Sequence, residues 1–147
     1  KQWSHLVEHD FSSQHLVSDF ILQKDPLFAQ QTLNGDEYHL YQQIYQSLNI
    51  PARTPDLIIF LQAPVDVLQS RIKQRGVRYE KNISHPYLQR LSDAYTDFFH
   101  HYDNSPLLIV NSSEINPVDN EADYQQLLQH ICSTHSGRHY LNPLANS

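Results

Sequence analysis

Two short runs constrain the architecture of this chain more than anything else in it. Residues 57–61 read Leu-Ile-Ile-Phe-Leu and residues 107–110 read Leu-Leu-Ile-Val, with no polar residue in either. A strand with one wet face alternates apolar and polar side chains. An uninterrupted β-prone run instead predicts a strand covered on both faces, the usual condition in parallel sheets. Amphipathic segments stand around these runs. Leu40, Tyr41, Ile44, Tyr45 and Leu48 form one stripe at helical spacing, predicting a helix over 36–48 behind the Asn34-Gly35-Asp36 turn. Pro51 and Pro55 then hold an extended connection. Pro64 opens a helix at its first turn, with Val65, Leu68 and Ile72 inward and Gly76 as the stop. Ser84 begins another, with Tyr87, Leu88, Leu91, Ala94, Tyr95, Phe98 and Phe99 inward and His100-His101 at its end. Asn120 caps a last helix with Tyr124, Leu127, Leu128 and Ile131 inward. Residues 15–20 (HLVSDF) read as a further short buried strand, Trp3, Leu6 and Val7 as helix, and residues 133–147 as a polar, aperiodic tail. Buried strands alternating with helices predict an α/β fold on a parallel sheet, within one domain of residues 1–132 that has no internal boundary.

Composition narrows the function classes. The 147 residues carry a formal net charge of −6, which argues against a general binder of nucleic acid or of anionic membranes. No apolar run approaches the ~18 residues that cross a bilayer. A single cysteine, Cys132, excludes an internal disulfide framework and suits a reducing compartment, so a cytoplasmic protein is expected. The three glycines, Gly35, Gly76 and Gly137, are too scattered for any Gly-rich phosphate loop. With no methionine, and with Lys1 opening on helical spacing, the chain is expected to be a segment of a longer polypeptide.

The basic residues are concentrated. Arg71, Lys73, Arg75, Arg78 and Lys81 are five of the ten Lys and Arg residues. Arg71 and Arg75 share a helical face, and Gly76 lets Arg78 turn back toward them. Guanidiniums converging beside a helix end make a polyanion site, because arginine binds phosphate oxygens in bidentate fashion. The same spacing also describes an ordinary solvated face. Glu80, inside the cluster, is either a salt-bridge partner of Arg75 or Arg78 or an acceptor for a substrate hydroxyl. Asp19 and Asp25 follow the first apolar run and are loop and cap residues or ligand contacts beyond a strand end. Phe28 is core or a stacking surface. His130, Cys132, His135 and His139 match no compact zinc spacing, and no metal site is assigned to them.

The stretch 55–72 (PDLIIFLQAPVDVLQSRI), followed by Arg75-Gly76 and Tyr79-Glu80, resembles the deoxynucleoside kinase family, and its bacterial deoxyadenosine/deoxyguanosine kinases above all. The likeness continues through Lys81-Asn82-Ile83-Ser84, Tyr87-Leu88, His101-Tyr102-Asp103 and PLLIVN at 106–111, and reaches back to Asp25-Pro26-Leu27-Phe28-Ala29. It implies a three-layer P-loop kinase-like fold, of which the chain would hold the C-terminal two-thirds without the N-terminal strand and P-loop. It further implies a homodimer that transfers the ATP γ-phosphate to a deoxynucleoside 5′-hydroxyl with Mg²⁺. In that likeness Arg71, Arg75 and Arg78 belong to the lid over the phosphates, and Glu80 and Tyr87 hold the sugar hydroxyl. Phe28 stacks on the base, Asp25 reads its polar edge, and Glu114 and Ile115 lie near the donor adenine.

One departure stands out. The family places an acid followed by arginine ahead of the stacking phenylalanine. Here Asp19 supplies the acid and Phe20 occupies the arginine position. Either Lys24 substitutes from nearby, or the activity is altered or lost. The isolated chain is expected to be inert, because the family's phosphate loop and general base lie upstream of it. The competing expectations are a non-catalytic interaction or regulatory module on the same scaffold, another nucleotide kinase such as a thymidylate kinase, or a fusion with a folate-pathway pyrophosphokinase.

Overall fold

A computed structural model describes residues 16–19, 21–48, 54–77 and 83–142. The expected helix around Trp3, and Phe20, Pro51, Arg78, Glu80 and Lys81, lie outside the described residues. The chain divides into two compact units, Lys1–Arg53 and Thr54–Ser147.

The first unit holds α1 (Lys24–Thr32) and α2 (Gly35–Leu48). Helix α1 has no counterpart in the sequence reading. Its nine residues bury only Ala29, too little apolar periodicity to reveal a helix, and Pro26 is tolerated because it falls in the first turn. Helix α2 starts where the Asn34 turn places it. The Asn34 side chain accepts from the Glu37 N–H at 3.0 Å and the Glu37 carboxylate accepts from the Asn34 N–H at 3.0 Å, a reciprocal cap. The stripe on α2 divides differently from expectation. Tyr41 stacks on Tyr38 and Tyr45 with ring centroids 6.1 and 5.6 Å away, and all three rings are half-buried. Leu40, Ile44 and Leu48 are exposed. The tyrosine face is the one tied to α1, because Tyr41 donates to Asp25. Residues 16–19 form no strand; Leu16 and Val17 are exposed, and a strand without a ladder partner leaves its backbone groups to water.

The second unit is a three-stranded parallel sheet of order β1-β2-β3, with β1 Ile58–Gln62, β2 Leu107–Asn111 and β3 Arg138–Leu141. Between the strands run α3 (Val65–Arg75), α4 (His85–His101) and α5 (Glu121–Ser133). Register sets Ile58 beside Leu107 and Val110 beside Leu141. Central β2 is buried over Leu107–Val110, as its unbroken apolar run requires. One face of the sheet meets α4, where Phe60 stacks on Phe99 at 4.5 Å between centroids. The other holds the core of Leu108, Val110, Ile115 and Leu141, against which Leu127 and Ile131 of α5 pack.

Three expectations are corrected here. β1 is only partly covered on its second face: Leu57, just before the strand, packs against the core of Leu108, Val110, Ile115 and Leu141, whereas Ile59 is 40% exposed and Leu61 58%. On α5, Leu127 and Ile131 point inward, whereas Tyr124 and Leu128 are exposed. Residues from 133 onward are not all tail. Arg138–Leu141 pairs along β2, and Leu141, 2% exposed, belongs to the core. Arg138 fastens this strand to α4 by donating through Nη2 to the carbonyls of Phe99 (3.2 Å), His100 (2.6 Å) and Tyr102 (3.2 Å).

The caps follow the sequence closely. Pro64 is the residue before α3 rather than within its first turn, and Gly76 ends it in the left-handed region at φ 69°. Ser84 accepts from the Tyr87 N–H at 3.3 Å, and Asn120 accepts from Ala122 N–H at 2.9 Å and Asp123 N–H at 3.3 Å. Among the described residues, no helix is long and apolar enough to cross a membrane.

Candidate functional site

Ligands of open parallel α/β sheets bind beyond the carboxyl ends of the strands. In the second unit that edge is formed by Gln62, ending β1, by Asn111, ending β2, and by Ser112-Ser113-Glu114 after it. Ser112 is buried and closes the edge. Its N–H and its hydroxyl both donate to the Gln62 carbonyl, at 2.8 and 3.0 Å. The Asn111 side chain accepts from Ser113 N–H at 3.2 Å and from the Ser113 hydroxyl, which shapes the turn.

Into this edge reaches Arg71 from α3. Its Nη1 donates to Ser112 Oγ at 3.2 Å and its Nη2 to the Ser112 carbonyl at 2.6 Å. A guanidinium has five N–H donors, so these two bonds leave most of its capacity for an anion. Arg75, one turn further and on the same helical face, is exposed. Charge at the strand ends therefore comes from a helix that packs against the sheet's own α4, and its first member is tied to the backbone.

The other expected site residues fall into three groups. Tyr87 is half-buried in the first turn of α4, and Glu114 is exposed on the loop after β2. Ile115 is a core residue packed among Leu108, Val110 and Leu141, so Glu114 is the side chain of that pair open to a ligand. In the first unit, Asp25 occupies the first turn of α1, where its Oδ2 accepts the Tyr41 hydroxyl at 2.9 Å. Burial, reinforced by that hydrogen bond and by the charge of Asp25, raises the Tyr41 phenol far above its ordinary range, so it stays a donor. Phe28 is half-buried with Lys24 Nζ 5.3 Å from its ring centroid, and Asp19 is exposed. Phe20, Arg78 and Glu80 lie outside the described residues.

Two residues of these networks escape sequence reasoning. Ser112 carries no local signal beyond being polar directly after a buried strand. Tyr41 reads as one member of an apolar stripe. Among the described residues, no three His, Cys, Asp or Glu side chains are grouped to hold a metal ion.

An α/β sheet with an arginine at its carboxyl edge describes an anion-handling protein in general terms. Comparison with known proteins makes the class definite. The profile of the family described as Deoxynucleoside kinase matches residues 4–135, and the chain belongs to that family. It is 27% identical over 122 residues to the deoxyguanosine kinase of Bacillus subtilis (strain 168), a match covering 80% of this chain and 59% of that protein. It is 31% identical over 134 residues to the deoxyadenosine kinase of Dictyostelium discoideum, covering 87% of this chain and 52% of that protein. Among solved structures, deoxyadenosine kinase from M. mycoides with products dCMP and a flexible dCDP bound superposes with a TM-score of 0.73. That match has 22% identity and covers 90% of this chain and 69% of the other. The chain spans between half and three-fifths of these two curated relatives. The fold is the α/β fold of these kinases.

Proposed function

We propose that this chain is the C-terminal part of a single deoxynucleoside kinase domain that transfers the ATP γ-phosphate to the 5′-hydroxyl of a purine deoxynucleoside. The observation that carries this is Arg71, fixed at the carboxyl ends of two parallel strands in a chain of that family. The purine preference draws on the deoxyguanosine and deoxyadenosine kinases among its relatives. The protein is read as a cytoplasmic homodimer whose partners are ATP and a deoxynucleoside, not nucleic acid.

In the reaction the 5′-oxygen forms a bond to the γ-phosphorus as the bond from that phosphorus to the β,γ-bridging oxygen breaks. The hydroxyl proton passes to a general base, and ADP departs. Little covalent chemistry is asked of the protein, so rate comes from positioning and from charge placed where it builds up. Arg71, Arg75 and Arg78 neutralise the phosphoryl oxygens. Glu80 and Tyr87 hold the sugar hydroxyl, Phe28 stacks on the base, and Asp25 accepts from its polar edge while Tyr41 holds that carboxylate. Asp19 stands beside the reacting phosphate, and Glu114 and the Ile115 backbone lie near the donor adenine. The phosphate loop and general base are assigned to the part of its relatives' length that this chain does not span. The residues that would hold Mg²⁺ are assigned to that same part, and the ion would supply further charge neutralisation there.

The test is an assay of the full-length polypeptide that carries these residues, with MgATP and each of the four deoxynucleosides, and separately with thymidine monophosphate. The expected result is a 5′-monophosphate from deoxyadenosine or deoxyguanosine in preference to the pyrimidines. Turnover of the monophosphate alone would make it a nucleotide kinase. No product from folded protein would favour a non-catalytic module, with Phe20 marking the loss.

A further inference from the structure

We propose that Asn142, at the end of β3, is a positioning residue for the donor nucleotide: through Asn111 it braces the turn after β2 that carries Glu114. The role rests on the phosphotransfer reading above, which sets the donor adenine near Glu114 and its phosphates near Arg71. It adds a residue from beyond 135, where the match to the family profile ends.

β3 runs parallel to β2, so both strands finish at the same edge of the sheet. Val110 stands beside Leu141, and the residue that follows each of them is an asparagine. Asn111 Nδ2 donates to Asn142 Oδ1 at 3.3 Å. On its other side the Asn111 amide oxygen accepts from the Ser113 N–H at 3.2 Å and from the Ser113 hydroxyl. Both ends of that amide are engaged, which fixes the direction in which it points. A line of hydrogen bonds therefore runs from Asn142 through Asn111 to Ser113, the residue before Glu114. Asn142 is itself exposed, but it follows Leu141, which is 2% exposed within the core, so an anchored strand carries the acceptor.

The turn is thus held from two sides. Toward β1, the N–H and hydroxyl of Ser112 bond to the Gln62 carbonyl; toward β3, Asn111 bonds to Asn142. The Ser112 carbonyl accepts from Arg71 Nη2, and Glu114 follows two residues later. One short turn therefore joins the arginine assigned to the phosphates with the side chain assigned to the base. A nucleotide that touches both gains most when their spacing is set before it arrives, because ordering a surface turn on binding costs conformational entropy. Alanine at 142 offers no acceptor. The Asn111 amide would then keep only its bonds to Ser113, and the two could turn away from β3 together.

Kinetics and binding in the full-length polypeptide test this. Asn142→Ala should raise KM for ATP about threefold, the scale of one neutral hydrogen bond. KM for the deoxynucleoside and kcat should stay unchanged. Tyr140→Ala, exposed on the same strand, should move none of the three. In an Asn111→Ala background, Asn142→Ala should add nothing, since both remove one interaction. Equal rises in both KM values, or effects that multiply in the double variant, would refute the positioning role. Calorimetric titration with ADP, the product left at the donor site, reads the brace without turnover. Its Kd should rise by the same factor in Asn142→Ala, and an unchanged Kd would overturn the proposal. A polypeptide that binds ADP with that difference yet transfers no phosphate would refute the phosphotransfer reading and leave the brace standing. One that binds no ADP would refute both.

Discussion

Replacing Leu141 by alanine separates an integral strand from a loose tail. Leu141 is 2% exposed and shares a core with Leu108, Val110 and Ile115, with Leu127 and Ile131 packed against it. Buried Leu→Ala changes cost about 2–5 kcal/mol, the larger values where the surroundings do not collapse into the space. Leu108 and Val110 lie on a central strand held on both sides by ladder bonds, so collapse is limited and about 3 kcal/mol is expected. For a unit of this size each kcal/mol lowers Tm by roughly 4–8 °C, which gives a fall of about 12–24 °C. Tyr140, next in the strand and 63% exposed, is the internal control, and its alanine variant should fall within about 0.5 kcal/mol of the parent. Urea titrations of the 147-residue chain followed by circular dichroism read both, compared at equal m-value. A Leu141→Ala midpoint no lower than that of Tyr140→Ala would show that β3 contributes nothing, and the assignment of 138–141 to the sheet would fail.

Arg138→Met removes the donor shared by the carbonyls of Phe99, His100 and Tyr102, and should cost about 1–3 kcal/mol; amide exchange should speed up in the last turn of α4 and not in its first. Gly76→Ala meets no atom closer than Gln74 O at 3.9 Å, so its cost of about 1 kcal/mol is purely that of holding φ 69° with a Cβ, readable as a lower urea midpoint. Burial raises the phenols of Tyr41 and Tyr95, so the folded chain binds those protons more tightly than the unfolded one. Stability should hold below the ordinary tyrosine value near ~10 and decline above it. Tyr41→Phe should flatten part of that decline, and an unchanged slope would remove Tyr41 from the account.

What the sequence makes legible depends on how local each determinant is. The run 107–110 reads correctly because β2 is central and its four residues are buried whatever lies beyond the sheet. The run 57–61 misleads for Ile59 and Leu61, since an outer strand's second face is covered only if another element reaches it. Ser84, Asn120 and Gly76 mark helix ends by chemistry within three residues, and each stands where it was expected. β3 is illegible because three of its four residues are exposed and a single leucine makes no pattern. Arg71 is visible as part of a basic cluster. The residue that holds it is not, because the Ser112 hydroxyl gains its meaning from an arginine 41 positions away. The Asp25–Tyr41 pair, 16 positions apart, is hidden in the same way.

The central claim is that the arginine at the strand ends acts on a phosphoryl group passing from ATP to a deoxynucleoside. The most direct measurement is transfer of γ-³²P from ATP to deoxyguanosine and deoxyadenosine by the full-length polypeptide, with Arg71→Met run in parallel at matched folded fraction. The account expects labelled 5′-monophosphate from the unaltered protein, and a rate at least about a hundredfold lower in the variant, the scale of losing one charged contact to a transition state. Label transfer that Arg71→Met leaves intact, or no transfer by the folded unaltered protein, would contradict it.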